Sequence, residues 1–226
     1  MIGGTHRELS DAMQDYIKAL YRLEERNEPL TNQAVATTLN LTAASVSTMM
    51  RKLADKACVE YTPYREIRLT EKGRTVALEM IRHHRLIETF LVQILGMSWD
   101  EVHDEAERLE HVISEELEAR IAAMVGDPRF DPHGHPIPGP EGDIAERGAL
   151  ATLADMQEGA TVRVEQVSDH DPEALRYLEG QGVFPGAVLE VRRVHPFDGP
   201  YECQCAGHAV LLSRSLSAML RVSRAE

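Results

Sequence analysis

Cysteine is scarce in this 226-residue chain: Cys58, Cys203 and Cys205 are the full set. Three thiols do not make a disulfide framework. Aromatic residues supply only 5% of the chain, and Lys plus Arg number 24 against 37 Asp plus Glu, for a net charge of −13. No apolar run approaches the roughly 20 residues of a spanning helix. The N-terminal stretch MIGGTHRELSDAMQDY has no apolar signal core. The expectation is a cytoplasmic protein with no membrane partner. A Gly-rich phosphate loop, a Ser-His-Asp order and a nucleophile elbow are all missing, so the sequence does not read as an enzyme. The charge argues against a nucleic-acid partner as well, provided that it is spread evenly.

It is not. Residues 1–75 hold 11 basic and 10 acidic residues, whereas 76–145 hold 5 and 15, and 146–226 hold 8 and 12. Most of the acidity lies in the middle third. Six of the ten histidines lie there too: His83, His84, His103, His111, His133 and His135. A solvated helix face accounts for carboxylates alone; carboxylates interleaved with histidines point to metal ligation.

With 43% hydrophobic and 27% charged residues the chain is globular material, enough for one large or two to three small domains. Residues 8–26 place Met13, Ile17, Leu20, Tyr21 and Leu23 at helical spacing behind a possible Ser10 cap. Pro29 ends that segment. Thr31 caps a short helix to Leu39, and Thr42 caps a third. Val59–Thr62 and Ile67–Leu69 flank Pro63-Tyr64-Arg65-Glu66 and read as a hairpin. Three helices and a hairpin make a winged helix-turn-helix. Residues 70–95 read as one amphipathic helix. Residues 98–125 read as a second, with Val102, Leu109, Val112, Ile113, Leu117 and Ile121 on one face. The Pro/Gly-rich loop DPHGHPIPGPEGD follows, and its His133 and His135 are expected to face solvent. From Thr152 short strands take over, with one helix over Asp171–Gln181, as in a small SH3-like β-barrel. The fold class is mainly α with small β. Its parts are a winged helix-turn-helix (1–75), a helical dimerisation and metal-binding domain (76–145) and a C-terminal SH3-like domain (146–226).

In HDEAERLEH (103–111), Glu107, Glu110 and His111 stand at i, i+3 and i+4 and share a helix face, with His103 one turn earlier. The preceding helix offers His84 and Glu88, again one turn apart. Two such helices can close a metal site between them; the plain alternative is a salt-bridged surface. Carboxylates with imidazole and no thiolate suit manganese or iron(II) better than structural zinc. On the helix beginning at Thr42, the residues Ala43, Ala44, Ser45, Ser47 and Thr48 are small or hydroxylic and allow close approach to DNA. Arg51 and Lys52 follow, and Arg65 and Arg68 lie in or beside the wing. Cys203 and Cys205, alternating along a strand, read as packing.

The stretches HRLIE (84–88), VHDEAERLEHV (102–112) and HPIPGPEG (135–142) resemble the diphtheria-toxin-repressor family of metal-dependent transcriptional regulators. That resemblance spans essentially the whole chain. It implies a homodimer that binds double-stranded operator DNA when loaded with divalent metal and represses metal-uptake genes. It also implies two metal sites. The primary one uses Asp15, Glu107, Glu110 and His111. The ancillary one uses His84, Glu88 and His103, completed near Gln166 and Asp169, with Glu165 and His170 as alternatives in a neighbouring register. Iron-type members carry Met and Cys where this chain has Asp15 and Glu107, which is similar to the manganese-responsive branch. Mn²⁺ is therefore the expected effector, with Fe²⁺ the alternative. That branch has a second Glu where this chain has Lys18, so its two-metal arrangement is in question here. Two readings from other classes are a carboxylate-bridged metalloenzyme and a metal-independent adaptor.

Overall fold

The computed structural model describes residues 6–62, 65–145 and 148–225. The expected hairpin tip at Pro63-Tyr64 lies outside them. By packing, the chain divides into two compact units: Met1–His84 with Glu107–Ala122 and Pro138–Ile144, and Arg85–Ala106 with Ala123–Ile137 and Ala145–Glu226.

In the first unit, α1 (Asp11–Glu25), α2 (Asn32–Thr38) and α3 (Ala43–Asp55) precede β1 (Val59–Glu60) and β2 (Arg68–Leu69). The side chains of Thr31 and Thr42 accept from the backbone N–H of Ala34 and Ser45, so these two caps form, whereas Ser10, the expected cap of α1, makes no side-chain cap hydrogen bond. The two strands pair antiparallel, Val59 opposite Leu69. Ile17 and Leu20 of α1 and Val46, Met50 and Leu53 of α3 are fully buried, along with Ile67 of the wing. Full burial of each is worth roughly 1.5–3 kcal/mol against the entropy of ordering the chain.

The long helix α4 (Glu71–Gln93) starts hard against this core. Thr70 caps it, accepting from Gly73 N–H and donating its own hydroxyl to the Ala57 carbonyl at 2.7 Å. A Cβ at Gly73 would stand 2.0 Å from the Cys58 carbonyl oxygen, so only glycine allows the contact.

The helix expected over 98–125 is two helices, α5 (Val102–Leu109) and α6 (Glu115–Met124). Ser114 caps α6, its hydroxyl accepting from Leu117 N–H, and so restarts the helix. The single apolar face expected across the segment breaks as a result: Val112 is 72% exposed and Leu117 is exposed as well. The break also lets α6 engage the first half of α4. Glu118 accepts from Arg82 Nε at 2.5 Å and from His83 Nε2 at 3.1 Å. His83 Nδ1 donates to the Glu110 carbonyl, so both ring nitrogens are donors. Burial works against a charged His83, but Glu118 outweighs it and raises the ring's pKa. Burial would raise Glu118 too; His83 and Arg82 prevail and hold it below the ordinary carboxylate value of 4.5. Its folded pKa is depressed, so the stabilisation is present above pH 4.5 and is lost as pH falls below it. Glu118→Gln is expected to cost roughly 1.5–3 kcal/mol at neutral pH and to flatten the acid limb of Tm against pH; an unchanged limb contradicts the assignment.

The second unit carries β3 (Ala151–Thr152), β4 (Thr161–Val167), α7 (Pro172–Gly180), β5 (Val188–Val194), β6 (Tyr201–Cys205), β7 (His208–Leu212), α8 (Arg214–Met219) and β8 (Leu220–Arg224). The strands form one antiparallel sheet in the order β3-β8-β4-β5-β6-β7. Alternation places Val162, Val164, Leu189, Val191, Cys203 and Cys205 inside. Asp171 caps α7, whose Leu175 and Leu178 cover this core. Burial pushes the Cys203 thiol up to about 11, in keeping with a packing role.

The expectation that His133 and His135 face solvent is wrong. His133 is fully buried, and the His135 side chain is 14% exposed. The turn is Pro/Gly-rich because it must fit against β4, where Val167 N–H donates to the His133 carbonyl.

Candidate metal centre

In the first unit, α1 presents Gln14, Asp15 and Lys18 toward the end of α5. Glu107 occupies the last turn of α5, while Glu110 and His111 lie just past it. The three are thus grouped by a helix end and not by a continuous helix face. Glu110 is fully buried. It accepts from His84 Nδ1 at 2.6 Å and from Lys18 Nζ at 2.5 Å. Burial alone would raise its pKa, yet His84 and Lys18 bring it down to about 2. Glu107, also bonded by Lys18 at 2.7 Å, is held below its ordinary value: burial and Glu110 push it up, and Lys18 and His84 outweigh them.

His111 reaches Asp15 through Nε2, at 3.1 Å from Oδ1. Its orientation is set by Gln14, which the sequence reading missed. Gln14 is buried, and its Nε2 donates to the carbonyls of His6 and Leu9. That fixes the amide so that Oε1 accepts from His111 Nδ1 at 2.7 Å. Nδ1 is thereby committed as a donor, which leaves Nε2, the nitrogen facing Asp15, as the ring atom that a cation would take in place of a proton. The Asp15 contact, the largest influence, raises the pKa of His111.

One ligand atom from each of Asp15, Glu110 and His111 lies within 4.8 Å of the other two. Three carboxylates, counting Glu107, and one oriented imidazole fit a hard divalent cation, which takes oxygen donors readily. Lys18, only 4% exposed, supplies one positive charge among them. Nothing in the local pattern of α1 distinguishes Lys18 from a solvated lysine.

In the second unit, His103 Nδ1 stands 3.3 Å from Glu88 Oε1 and 3.9 Å from Asp169 Oδ2. His133 Nδ1 stands 3.8 Å from the other Glu88 oxygen. Burial would lower the pKa of His133, but Glu88 and Asp131 raise it to about 9. Gln166 is half-buried on β4, and His170 is exposed beside Asp169. His84 lies one turn before Glu88 on α4, and within the first unit it bonds Glu110.

On α3, Thr42, Ala43, Ala44, Ser45, Thr48 and Lys52 are exposed, opposite the buried Val46, Met50 and Leu53. Ser47 is half-buried and bonds the Tyr61 hydroxyl at 2.9 Å, which Asn32 also reaches. Arg65 is exposed in the wing.

Three family models match the chain. The DNA-binding domain of iron-dependent repressors matches residues 8–67, their metal-binding and dimerisation domain residues 70–139, and the FeoA domain residues 151–224. Iron-dependent repressor IdeR of Mycobacterium tuberculosis is 34% identical, covering 81% of this chain and 85% of its own length. The diphtheria toxin repressor of Corynebacterium glutamicum is 30% identical, covering 82% and 85%. Among solved structures, a manganese-dependent transcriptional repressor in complex with manganese is 37% identical, with a TM-score of 0.86 over 94% of this chain and all of that one. The manganese regulator SloR is 30% identical, with a TM-score of 0.74 over 94% and 98%.

Proposed function

We propose, from the premise that this chain belongs to the iron-dependent (diphtheria-toxin) repressor family of metal-dependent transcriptional regulators, that it is a manganese-responsive repressor acting as a cytoplasmic homodimer on operator DNA. Residues 1–75, 76–145 and 146–226 are its DNA-binding, dimerisation and SH3-like parts. Asp15, Glu107, Glu110 and His111 hold the effector ion; Glu88 and His103, with His84, Gln166 and Asp169, form the ancillary set. The observation that carries the choice of metal is the composition of the first group: three carboxylates, one imidazole and no sulfur ligand.

When bound, a divalent cation supplies the positive charge that offsets these carboxylates. Asp15 belongs to α1 of the DNA-binding segment, whereas Glu107, Glu110 and His111 follow from α5. Without compensation, carboxylates this close repel one another. Sharing one ion holds α1 to the end of α5. This favours the arrangement in which two recognition helices of a dimer meet successive major grooves, about 34 Å apart. On α3 the exposed residues Thr42, Ala43, Ala44, Ser45 and Thr48, with Ser47, let the helix approach base edges closely. Lys52 and Arg65 supply phosphate contacts. The coupling is reciprocal, so DNA must also tighten metal binding.

The test begins with duplexes selected from a random-sequence pool by the Mn²⁺-loaded full chain. Fluorescence anisotropy then compares their affinity with Mn²⁺ and with a chelator. At least a 100-fold loss on chelation is expected, and metal-independent affinity would overturn the reading. Asp15→Ala should weaken Mn²⁺-activated binding at least tenfold and leave the dimer mass by light scattering unchanged. An iron(II)-responsive repressor is the second reading, favoured by the similarity to IdeR, which is an iron-dependent repressor. Activation by Fe²⁺ under anaerobic conditions at lower free-ion concentration than Mn²⁺ would select it.

A further inference from the structure

The turn from Asp131 to His135, in the second unit, gathers three metal-ligating side chains that the reading above does not use. Asp131 Oδ1 accepts from the backbone N–H of His133 and of His135, both at 2.9 Å. Its other oxygen, Oδ2, is buried without a hydrogen bond and stands 3.4 Å from His135 Nδ1. His133 stacks on Trp99, and its Nε2 donates to the Trp99 carbonyl at 2.8 Å. The Nδ1 atoms of His133 and His135 are both buried and make no hydrogen bond. One oxygen and two nitrogens, one from each side chain, thus lie within 4.8 Å of one another. Buried polar atoms are almost always paired, and each exception calls for an explanation such as a water or an ion.

The turn is held in shape before any ligand arrives. Asp131 N–H donates to the His135 carbonyl, and Gly134 N–H to that of Asp131. Gly134 has φ +87°, and a Cβ there would stand 2.1 Å from the Glu165 carbonyl oxygen on β4. Because the Trp99 carbonyl engages His133 Nε2–H, Nδ1 is the atom left to bind an ion. The sequence hid this arrangement, since a Pro/Gly-rich loop normally lies in solvent.

We propose that Asp131, His133 and His135 form a further divalent-metal site, a two-imidazole, one-carboxylate set that prefers Zn²⁺ to Mn²⁺. Nitrogen donors favour the later first-row ions, in contrast to the carboxylate-rich group of the first unit. The charged neighbours balance: Glu88 Oε2 lies 3.8 Å from His133 Nδ1, and Arg85 Nε lies 3.7 Å from Asp131 Oδ2. Arg85 also donates to the Pro136 carbonyl, which holds it in place. The partly exposed His135 is the side from which the ion arrives. The set adjoins Glu88, His103 and Asp169 and takes no side chain from that group.

Calorimetric titration with Zn²⁺ tests this on the full chain carrying Asp15→Ala and Glu107→Ala, which remove the first-unit group. Asp131→Asn, which keeps an acceptor for the turn, and His135→Ala should each lose one Zn²⁺ per chain or bind it at least tenfold more weakly. His103→Ala should retain that ion. Unchanged Zn²⁺ binding in both turn variants would overturn the proposal, as would loss of the same ion in His103→Ala. Co²⁺ added to the His103→Ala form, in which the turn is intact, gives a readout independent of how the turn variants fold. A visible d–d absorption that Zn²⁺ bleaches is expected, and its absence is equally fatal.

Discussion

Replacing Glu110 with alanine lowers the thermal midpoint of the full chain by on the order of 10 °C. Its carboxylate is fully buried between His84 and Lys18, at 2.6 and 2.5 Å. Removing one member of a buried ion pair costs about 3–5 kcal/mol, because the surviving charge is left without compensation. For a protein of this size each kcal/mol moves the midpoint by about 2–4 °C. Lys18 retains Glu107, whose side chain is 34% exposed, so the loss is not the whole of its pairing. Glu110→Gln keeps the shape and one acceptor and should fall about midway. Differential scanning calorimetry in chelator reads both, and a shift within 2 °C for alanine would show that the pair contributes little. In Mn²⁺ the alanine variant should recover less of its midpoint than the parent, since it also lacks a ligand.

Lys18→Met should tighten Mn²⁺ binding at least tenfold while destabilising the metal-free chain. The Lys18 ammonium lies against Glu107 and Glu110 together, where a cation shared by these carboxylates has to sit. It acts as a resident monovalent ion that a divalent one must move aside. Two unit charges 4 Å apart interact by roughly 4 kcal/mol at an effective dielectric of 20, ample for a tenfold effect after relaxation. The metal-free variant leaves two neighbouring carboxylates without that charge, and the metal-bound variant does not. Linkage then requires the gap in Tm with and without Mn²⁺ to widen. Isothermal titration measures the affinity directly. An unchanged dissociation constant in a folded Lys18→Met protein would mean that the ammonium and the ion do not compete.

Much of the architecture was legible along the chain because it is written in local chemistry. Thr31 and Thr42 announce helix starts, and the spacing of Ile17, Leu20 and Leu23 marks the buried side of α1. The alternating 160–167 and 187–194 segments announce strands. What stayed hidden depends on residues far apart in sequence. Ser114 restarts a helix inside an otherwise continuous amphipathic pattern, and periodicity does not register a cap of that kind. Lys18 is ordinary in the pattern of α1 and gains its role only from Glu107 and Glu110, some ninety positions away. Gln14 is likewise informative only through the two carbonyls that orient its amide. His133 is buried because β4 and Trp99 cover it, and neither is its neighbour in sequence. The carboxylate and histidine positions themselves could be marked by residue type and spacing, but their partners could not.

The seam at Thr70 and Gly73 has a mechanical consequence. There the start of α4 lies on the backbone just beyond α3, with no side chain between to act as a cushion. His84 is eleven residues further along the same helix, about 16 Å at 1.5 Å per residue. Stiffness along that length is supplied by the helix, and at its near end by main-chain contact. A tilt imposed where His84 meets Glu110 is delivered to the base of α3 with little slack, so this stretch of α4 works as a lever whose fulcrum is a glycine.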